Sequence, residues 1–416
     1  MLVRFLLTFF TLFYFSPLAK AEGQCAAVFA EKKASGLQVQ WSAKSPAVYL
    51  SSGVIKVRMK EGSTQVLRIP APVGKVHDHR QIKFSHFANS VVERISPALA
   101  TSTKLVRLRF EDAEKINTYA RVLTGVNASP ANPGIASLSE FHQGLKAGSY
   151  SIERDPVKVF LIEIVYSSIL SRSFINPKRF QRMVNEYSDL GWKNSLSAKK
   201  DSEVNDISYL LSFDEFLDAV SGDWKKISWG DRKEVYQLLS SVVGERLDFD
   251  DHQFLLQLYE FICHQILEKK TFDTLVQGLY RVIMERFPYE VRQQLAEVWA
   301  LYSFLGIRDP HAGNWMISSD GKIKIVDLAY VGKEFLSGAS LSTSRLQSLF
   351  DSRSLVSSEL LLPVYSKYFS PDFVANMLTL NESDLQNLAQ QSGLRLSPRQ
   401  LNGLLTRRDQ IMAEYW

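Results

Sequence analysis

Asp309-Pro310-His311-Ala312-Gly313-Asn314 places an Asp and an Asn five residues apart, and a second Asp, Asp327, follows thirteen residues later in Ile325-Val326-Asp327-Leu328. Carboxylate and amide oxygens are the hard ligands that magnesium prefers. A carboxylate beside a reacting hydroxyl group can also accept its proton. The spacing therefore predicts a metal-dependent site to which these three residues contribute.

The residues around this pattern predict a defined local structure. Val291–Leu305 carries apolar side chains at helical spacing, and Gly306 follows as a helix-ending residue. After the quoted loop, Trp315–Ile317 and Ile323–Val326 are β-prone and are separated by the turn-forming pair Asp320-Gly321. Helix, loop and hairpin are thus expected in succession, and the hairpin is expected to bring the Asn and the second Asp to neighbouring strand ends.

The run from Leu305 to Asn314 resembles the catalytic loop of atypical kinases. It is similar to phosphoinositide lipid kinases, which have Leu-Gly-Ile before Asp-x-His-x-x-Asn. It is also similar to aminoglycoside phosphotransferases and ubiquinone-biosynthesis kinases, whose loop contains Asp-Pro-His-Pro-Gly-Asn. Protein Ser/Thr kinases usually have a Lys two residues after the catalytic Asp, where this chain has His311. The specific resemblance covers Val291 to Gly332 and favours the atypical and small-molecule branches of the kinase-like superfamily.

The resemblance implies a role for each matching residue. Asp309 is expected to act as base or orienting carboxylate, and His311 to orient the loop or contact phosphate. Asn314 and Asp327 are expected to hold Mg or Mn, with ATP or another nucleotide triphosphate as the phosphoryl donor. Where kinases have the metal-binding motif Asp-Phe-Gly, this chain has Asp327-Leu328-Ala329, so the glycine of that motif is missing.

A kinase-like chain is expected to have a β-rich lobe before this loop. The N-terminal third predicts three strands, a helix and two more strands, which is the order of a kinase small lobe. The expected strands are Ala47–Ser51, Val54–Met59, Gln65–Ile69, Lys104–Phe110 and Tyr119–Thr124, and the expected helix is Gln81–Ala98. The predicted fold is therefore α+β and two-lobed, with a small β-rich N-lobe and a larger, mainly helical C-lobe.

Three residues of the N-lobe are candidates for nucleotide binding. Arg68 lies on the third predicted strand, where kinases have a phosphate-anchoring Lys, and Glu93 on the following helix is its expected ion-pair partner. Gly53 lies where a phosphate-covering turn would form, because glycine lets backbone N–H groups approach an anion. Two alternatives stay open: Lys56 or Lys60 replaces Arg68, or Arg68 and Glu93 form a surface pair of little consequence.

The domain organisation follows from the same patterns. Residues 1–21 predict a signal peptide, residues 22–134 the N-lobe, and residues 135–416 the C-lobe with the catalytic loop at 306–332. Between residues 157 and 288 the pattern is mainly helical and longer than a kinase needs, which predicts a helical insertion in the C-lobe.

The first residues predict export. Arg4 precedes an apolar run from Phe5 to Phe15, and Ala19-Lys20-Ala21 is a small-x-small cleavage pattern. The apolar run is too short to span a membrane, so a periplasmic or secreted protein without a transmembrane anchor is expected. Cys25 and Cys263 could form a disulfide outside the cytoplasm, but Cys263 lies on an apolar helical run and is equally well explained as a buried thiol.

The charge balance argues against a nucleic-acid partner. The 49 basic and 44 acidic residues give a formal net charge of +5, and no nucleic-acid-binding signature stands out, so no nucleic acid partner is expected. The sequence thus predicts an exported phosphotransferase that acts on a hydroxyl group of a small molecule, lipid or protein. Its alternatives are an inactive kinase-like scaffold and a kinase-fold enzyme that transfers a nucleotidyl group.

Overall fold

A computed structural model gives the fold. The structure describes the following residues: 35–36, 48–51, 54–69, 72–73, 76–77, 79–124, 133–140, 142, 145–146, 155–173, 213–244, 251–267, 269–307, 314–318, 321–328, 333–343, 345–350 and 355–416.

The chain divides into two compact units, each built from separate parts of the sequence. Unit one contains Met1–Gln143, Lys324–Ala339 and Asp372–Arg408. Unit two contains Gly144–Ile323, Ser340–Pro371 and Asp409–Trp416. Unit one thus extends past the predicted lobe boundary at residue 134 to Gln143 and also takes in two later segments.

The strands are numbered in chain order within the described residues. They are β1 (Ser35–Gly36), β2 (Val48–Ser51), β3 (Val54–Arg58), β4 (Thr64–Arg68), β5 (Pro72–Val73), β6 (Val76–His77), β7 (Thr103–Leu108), β8 (Gly134–Glu140), β9 (Leu145–Lys146), β10 (Trp315–Ile317), β11 (Ile323–Ile325), β12 (Arg345–Gln347) and β13 (Leu355–Ser357).

The helices are numbered in the same way. They are α1 (His79–Ile95), α2 (Phe110–Thr124), α3 (Pro156–Ser173), α4 (Phe213–Trp224), α5 (Trp229–Val243), α6 (Asp251–Leu267), α7 (Lys269–Glu285), α8 (Tyr289–Leu305), α9 (Lys333–Ser337), α10 (Ser358–Tyr365), α11 (Pro371–Thr379), α12 (Glu382–Gln391) and α13 (Pro398–Ala413). The protein is therefore α+β, as the sequence predicts.

Unit one is organised around a six-stranded sheet in the order β1-β7-β8-β4-β3-β2. Strands β2, β3, β4, β8 and β7 pair antiparallel, and only the short β1 runs parallel to its neighbour β7. Alternate residues of the strands are buried together with two residues of α2, because strand side chains point alternately to the two faces. This core comprises Ile55, Val57, Met59, Leu67, Ile69, Val106, Leu108, Ala136, Leu138, Ala113 and Ile116.

One of the N-terminal predictions is wrong. Tyr119–Thr124 was expected to be a strand but forms the last part of α2. Helix α2 forms because Glu111 and Asp112 lie in its first turn, where the helix dipole favours acids, and because Ala113 and Ile116 are buried at helical spacing. The last strand of the sheet along the chain is instead β8, for which the sequence analysis predicts no strand.

Unit two is mainly helical, in agreement with the pattern from residue 157 to 288. Trp224 of α4 lies at its aromatic centre, where it stacks on Phe254 of α6 at 5.0 Å and approaches Phe160 of α3 at 4.8 Å. Tyr236 of α5 meets the Phe254 ring edge-on at 4.5 Å. Aromatic pairs of this kind add stability beyond the area that they bury.

The local structure around the quoted motif is confirmed. Helix α8 ends at Gly306, which has a left-handed φ of 65° and donates its N–H to Ser303 and Tyr302. Strands β10 and β11 are neighbours in one sheet, and the turn between them closes where Gly321 donates its N–H to Ser318. Within the described residues, every helix is too short or too polar to cross a membrane.

Candidate functional site

Arg68 and Asp327 meet in unit one. Arg68 Nη2 lies 3.0 Å from Asp327 Oδ2, and the two side chains are 19% and 35% exposed. The sequence places Arg68 among the nucleotide-binding residues and Asp327 among the metal ligands, and the fold brings the two together across 259 positions of the chain.

The sheet positions Arg68. It is the last residue of β4, a strand with neighbours on both sides, and it lies opposite Val54 of β3 and Ser137 of β8. Leu67, the preceding residue, is fully buried in the core on one face of the sheet. Because successive strand residues point to opposite faces, Arg68 projects from the other face, together with Ser137.

Three hydrogen bonds position the segment that carries Asp327. The Ile325 N–H donates to the Leu99 carbonyl at 3.0 Å, and the Thr101 hydroxyl donates to the Ile325 carbonyl at 2.6 Å. Lys324 Nζ donates to the Ala100 carbonyl at 2.9 Å. All of these residues belong to unit one, so the end of β11 is fixed to the connection between α1 and β7.

Lys324 also influences the titration of one nearby histidine, His142. Burial lowers the pKa of His142, and the positive charge of Lys324 lowers it further, whereas Glu140 acts in the opposite direction. The surroundings of Lys324 thus favour a neutral imidazole ring.

Asn314 lies in unit two, immediately before β10, and is 8% exposed. The hairpin that follows it is tied to α8 through Gln294. The Gln294 side chain accepts from the Ile323 N–H at 2.7 Å and donates to the Gly321 carbonyl at 3.3 Å. Helix α8 therefore fixes the turn of the hairpin. That Asn314 and Asp327 hold one cation stays a prediction.

The structure bears on only one of the remaining predicted site residues. Asp309, His311 and Gly53 lie outside the described residues, so their roles stay predictions. Glu93 is exposed on α1. Among the residues that the structure describes, no ion pair joins it to Arg68, whose carboxylate partner is Asp327.

The donor set of this pair fits a nucleotide with a divalent cation. Magnesium is usually held by one or two protein carboxylates together with phosphate oxygens and water, and Asp327 offers one such carboxylate. Arg68 offers five N–H donors in a planar fork, a geometry that matches phosphate. A cluster of three or more His, Cys, Asp or Glu side chains able to hold a metal is absent from the described part of the chain.

A second feature was missed by the sequence interpretation. A cavity of about 370 Å³ lies in unit one, at the end of β7 and the start of α2 and β8, and its lining residues are Arg107, Leu108, Arg109, Phe110, Pro133, Gly134 and Ile135. Of the two arginines that line it, Arg109 forms an ion pair with Asp112 at 3.1 Å. Phe110, which lines the cavity, is 71% exposed, and the sequence alone does not reveal this exposure.

The chain was compared with protein-family models, with curated proteins and with solved structures, and none of the three comparisons found a match.

Proposed function

We propose that this protein is a kinase-like phosphotransferase that moves the γ-phosphoryl group of ATP, or of another nucleotide triphosphate, to a hydroxyl acceptor. The observation that carries the proposal is the ion pair between Arg68 and Asp327 at 3.0 Å. In protein kinases the phosphate-anchoring cation is on the third strand of the small lobe, and an Asp after the catalytic loop holds magnesium. Arg68 is on the third strand of the β2-β3-β4 series, and Asp327 follows the quoted motif.

The order of elements around Arg68 supports the proposal. Strands β2, β3 and β4 form consecutive antiparallel pairs, and α1 follows before the chain returns to the sheet as β7 and β8. Apart from the short strands β1, β5 and β6 and the helix α2 between the last two strands, this is the order of three strands, a helix and two strands that a kinase-like small lobe has. The two-lobed arrangement itself belongs to the proposal.

The roles in the proposed reaction follow from the side chains. Arg68 binds phosphate oxygens through its N–H donors, and Asp327 supplies a carboxylate oxygen to Mg or Mn. When bound, the cation with its nucleotide supplies the transferable phosphoryl group and neutralises charge on the phosphates. Asp309 is proposed to orient the acceptor hydroxyl and receive its proton, and Asn314 to contribute a second oxygen ligand.

One observation favours a second candidate, a kinase-like binding protein that does not catalyse. Arg68 stands where kinases have Lys and forms its ion pair with the expected metal ligand, and Glu93 takes no part in that pair. An Arg is not equivalent to a Lys at such a position, because its fork geometry and weaker hydration differ from those of a compact ammonium group.

Nucleotide binding is the first test. Calorimetric titration of the protein with ATP in the presence of Mg²⁺ is expected to show binding, and Asp327→Asn is expected to weaken this binding at least tenfold. Asp372→Asn is the matched control, because Asp372 is an exposed carboxylate of the same unit. Equal affinities for the wild type and Asp327→Asn, or no divalent-dependent binding at all, would contradict the proposal.

Product analysis separates the remaining candidates. Mass spectrometry after incubation with ATP, Mg²⁺ and hydroxyl-bearing acceptors is expected to show added phosphate. Added nucleotide would instead indicate nucleotidyl transfer. Nucleotide binding with unmodified acceptors, together with no ATP turnover, would favour the binding protein.

A further inference from the structure

We propose that Arg68 acts as a gate for cation binding at Asp327. The guanidinium group occupies the carboxylate, and a divalent cation binds there only after a phosphate group of the nucleotide has bound the guanidinium group. This inference rests on the proposed function and concerns the regulation of the same site. It makes cation binding conditional on nucleotide binding.

The first argument is electrostatic. Arg68 Nη2 is 3.0 Å from Asp327 Oδ2, so a cation that coordinates this oxygen at its usual distance of about 2.1 Å must approach a permanent positive charge. Coordination through the other carboxylate oxygen brings the cation close to the same charge. The carboxylate is only 35% exposed, and partial burial reduces the screening of this repulsion by water.

The second argument concerns rigidity. A pair between two long surface side chains is weak because ordering them costs conformational entropy. Here Arg68 extends from a strand paired on both sides, and Asp327 follows a strand end that is fixed by the Thr101 and Leu99 hydrogen bonds. The backbone therefore keeps the two residues close to each other, so less conformational entropy is lost when the pair forms.

The third argument concerns the nucleotide. Without a cation, its phosphates meet the negative carboxylate of Asp327 and compete with it for Arg68. With both ligands present, phosphate binds the guanidinium group and the cation binds the carboxylate. Each ligand thereby removes the charge that repels the other. Such coupling is reciprocal by thermodynamic necessity.

A cation titration without nucleotide tests the gate directly. Mn²⁺ binding, followed by electron paramagnetic resonance, is expected to be about tenfold tighter in Arg68→Ala than in the wild type, which is the scale of losing one charge-assisted contact. Arg58→Ala is the matched control: it removes the same charge from an exposed side chain near the other end of the β3-β4 hairpin. Arg68→Lys keeps the positive charge although its geometry differs, so it is expected to bind Mn²⁺ more weakly than Arg68→Ala.

The gain must depend on Asp327. Adding Asp327→Asn to Arg68→Ala is expected to abolish the tighter binding of Mn²⁺. Equal Mn²⁺ affinity of the wild type and Arg68→Ala, or a gain that persists without Asp327, overturns the gate. Circular dichroism confirms folding, and Arg68→Gln provides a second neutral variant with a longer side chain.

A nucleotide titration gives the reciprocal test. In EDTA, Asp327→Asn is expected to bind ATP more tightly than the wild type, because the competing carboxylate is gone. In Mg²⁺ the same substitution is expected to weaken binding, so its effect changes sign. A merely structural role for Asp327 would weaken binding in both conditions and would overturn the gate. Absence of ATP binding in both conditions overturns the proposed function, and the Mn²⁺ titration then decides the gate alone.

Discussion

The Thr101 hydroxyl donates a 2.6 Å hydrogen bond to the Ile325 carbonyl, two residues before Asp327. Thr101 is 5% exposed, so removing its hydroxyl leaves that carbonyl oxygen in a dry environment. We expect Thr101→Val, which preserves shape, to lower the free energy of unfolding by about 1 to 3 kcal/mol, the cost of an unsatisfied buried polar group. Urea denaturation followed by far-UV circular dichroism measures this change.

The matched control is Thr118→Val on α2. The Thr118 hydroxyl also donates to a carbonyl, that of Glu114, but it does so on an exposed surface where water can replace it. This substitution is expected to change the free energy of unfolding by less than about 0.5 kcal/mol. Equal losses for the two variants would show that the Thr101 hydrogen bond contributes nothing specific to the segment of Asp327.

Two helical glycines are predicted to respond to alanine with opposite signs. A Cβ atom on Gly403 of α13 would lie 2.5 Å from the Gly338 Cα atom, so the helix must shift, and we expect Gly403→Ala to destabilise the protein by about 1 to 3 kcal/mol. Gly222 of α4 has open space where its Cβ would be. Gly222→Ala is expected to stabilise the protein by about 0.5 to 1 kcal/mol, because alanine loses less backbone entropy in a helix.

Thermal unfolding of the two variants provides the measurement. Circular dichroism suits both, because the tryptophans among the described residues lie in unit two and fluorescence would report mainly on that unit. A raised midpoint for Gly403→Ala would contradict the close approach of its helix to Gly338.

Local patterns in the sequence predict much of this fold. The alternation of apolar residues in β3 and β4 and the helical spacing of α8 followed by Gly306 are confirmed within a few residues. Local patterns fail where two tendencies compete. Tyr119–Thr124 contains a β-prone run, yet it belongs to a helix that begins nine residues earlier, so the amphipathic period of the whole segment prevails.

The strand β8 was missed for a different reason. Its residues Gly134–Glu140 include two Ser, an Ala and a Gly, so its strand propensity is low. Pairing with β4 and β7 on its two sides stabilises it, and such tertiary pairing leaves little trace in a short window of sequence.

The candidate site shows the same division. Arg68 and Asp327 could each be chosen from motif position alone, but their contact depends on where β11 docks in unit one. The expected partner of Arg68 was Glu93, on the helix that follows its strand. The hydrogen bonds of Leu99 and Thr101 to Ile325 bring Asp327 to Arg68 instead, and backbone contacts between distant segments cannot be read from a single sequence.

Asp155 is predicted to stabilise unit two in a pH-dependent way. It accepts the backbone N–H groups of Val157 and Lys158 at the start of α3 and binds Arg286 through both carboxylate oxygens, at 2.7 and 3.0 Å. Asp155→Asn is expected to cost about 2 to 4 kcal/mol at pH 7, because it leaves a half-buried guanidinium group without its main counterion. Burial raises the pKa of Asp155, but the hydrogen bonds and charge of Arg286 outweigh it and lower the pKa below 3.8.

The sign of the pH effect follows from that direction. Asp155 binds a proton less readily in the folded state than in the unfolded state. Its contribution to the free energy of unfolding is therefore complete above pH 3.8 and is lost as the pH falls through the lower pKa of the folded state. The difference between the wild type and Asp155→Asn should therefore shrink in acid. Glu234→Gln is the control, because Glu234 meets the same Arg286 but is 49% exposed. A difference that stays constant from pH 7 to pH 3 would argue against the ion pair.

His86 of α1 is predicted to make unit one sensitive to mild acid. Its Nδ1 lies 2.8 Å from the hydroxyl of Ser392, which follows α12. The Ser392 hydroxyl donates to the Leu388 carbonyl, so the imidazole donates from Nδ1. Burial lowers the pKa of His86 below its ordinary value of 6.5. The unfolded chain therefore binds the proton more readily, and stability falls as the pH decreases from 6.5 towards the folded pKa.

Urea midpoints at pH 7.5 and pH 5.5 measure this effect. The wild type is expected to lose more stability between the two values than His86→Gln, whose amide can still donate to Ser392 but cannot titrate. His252→Gln is the control, because His252 is exposed on α6 of unit two, and it should leave the acid-dependent loss unchanged. If His86→Gln and the wild type lose stability equally, the acid sensitivity arises from other groups, and the buried ring of His86 does not contribute to it.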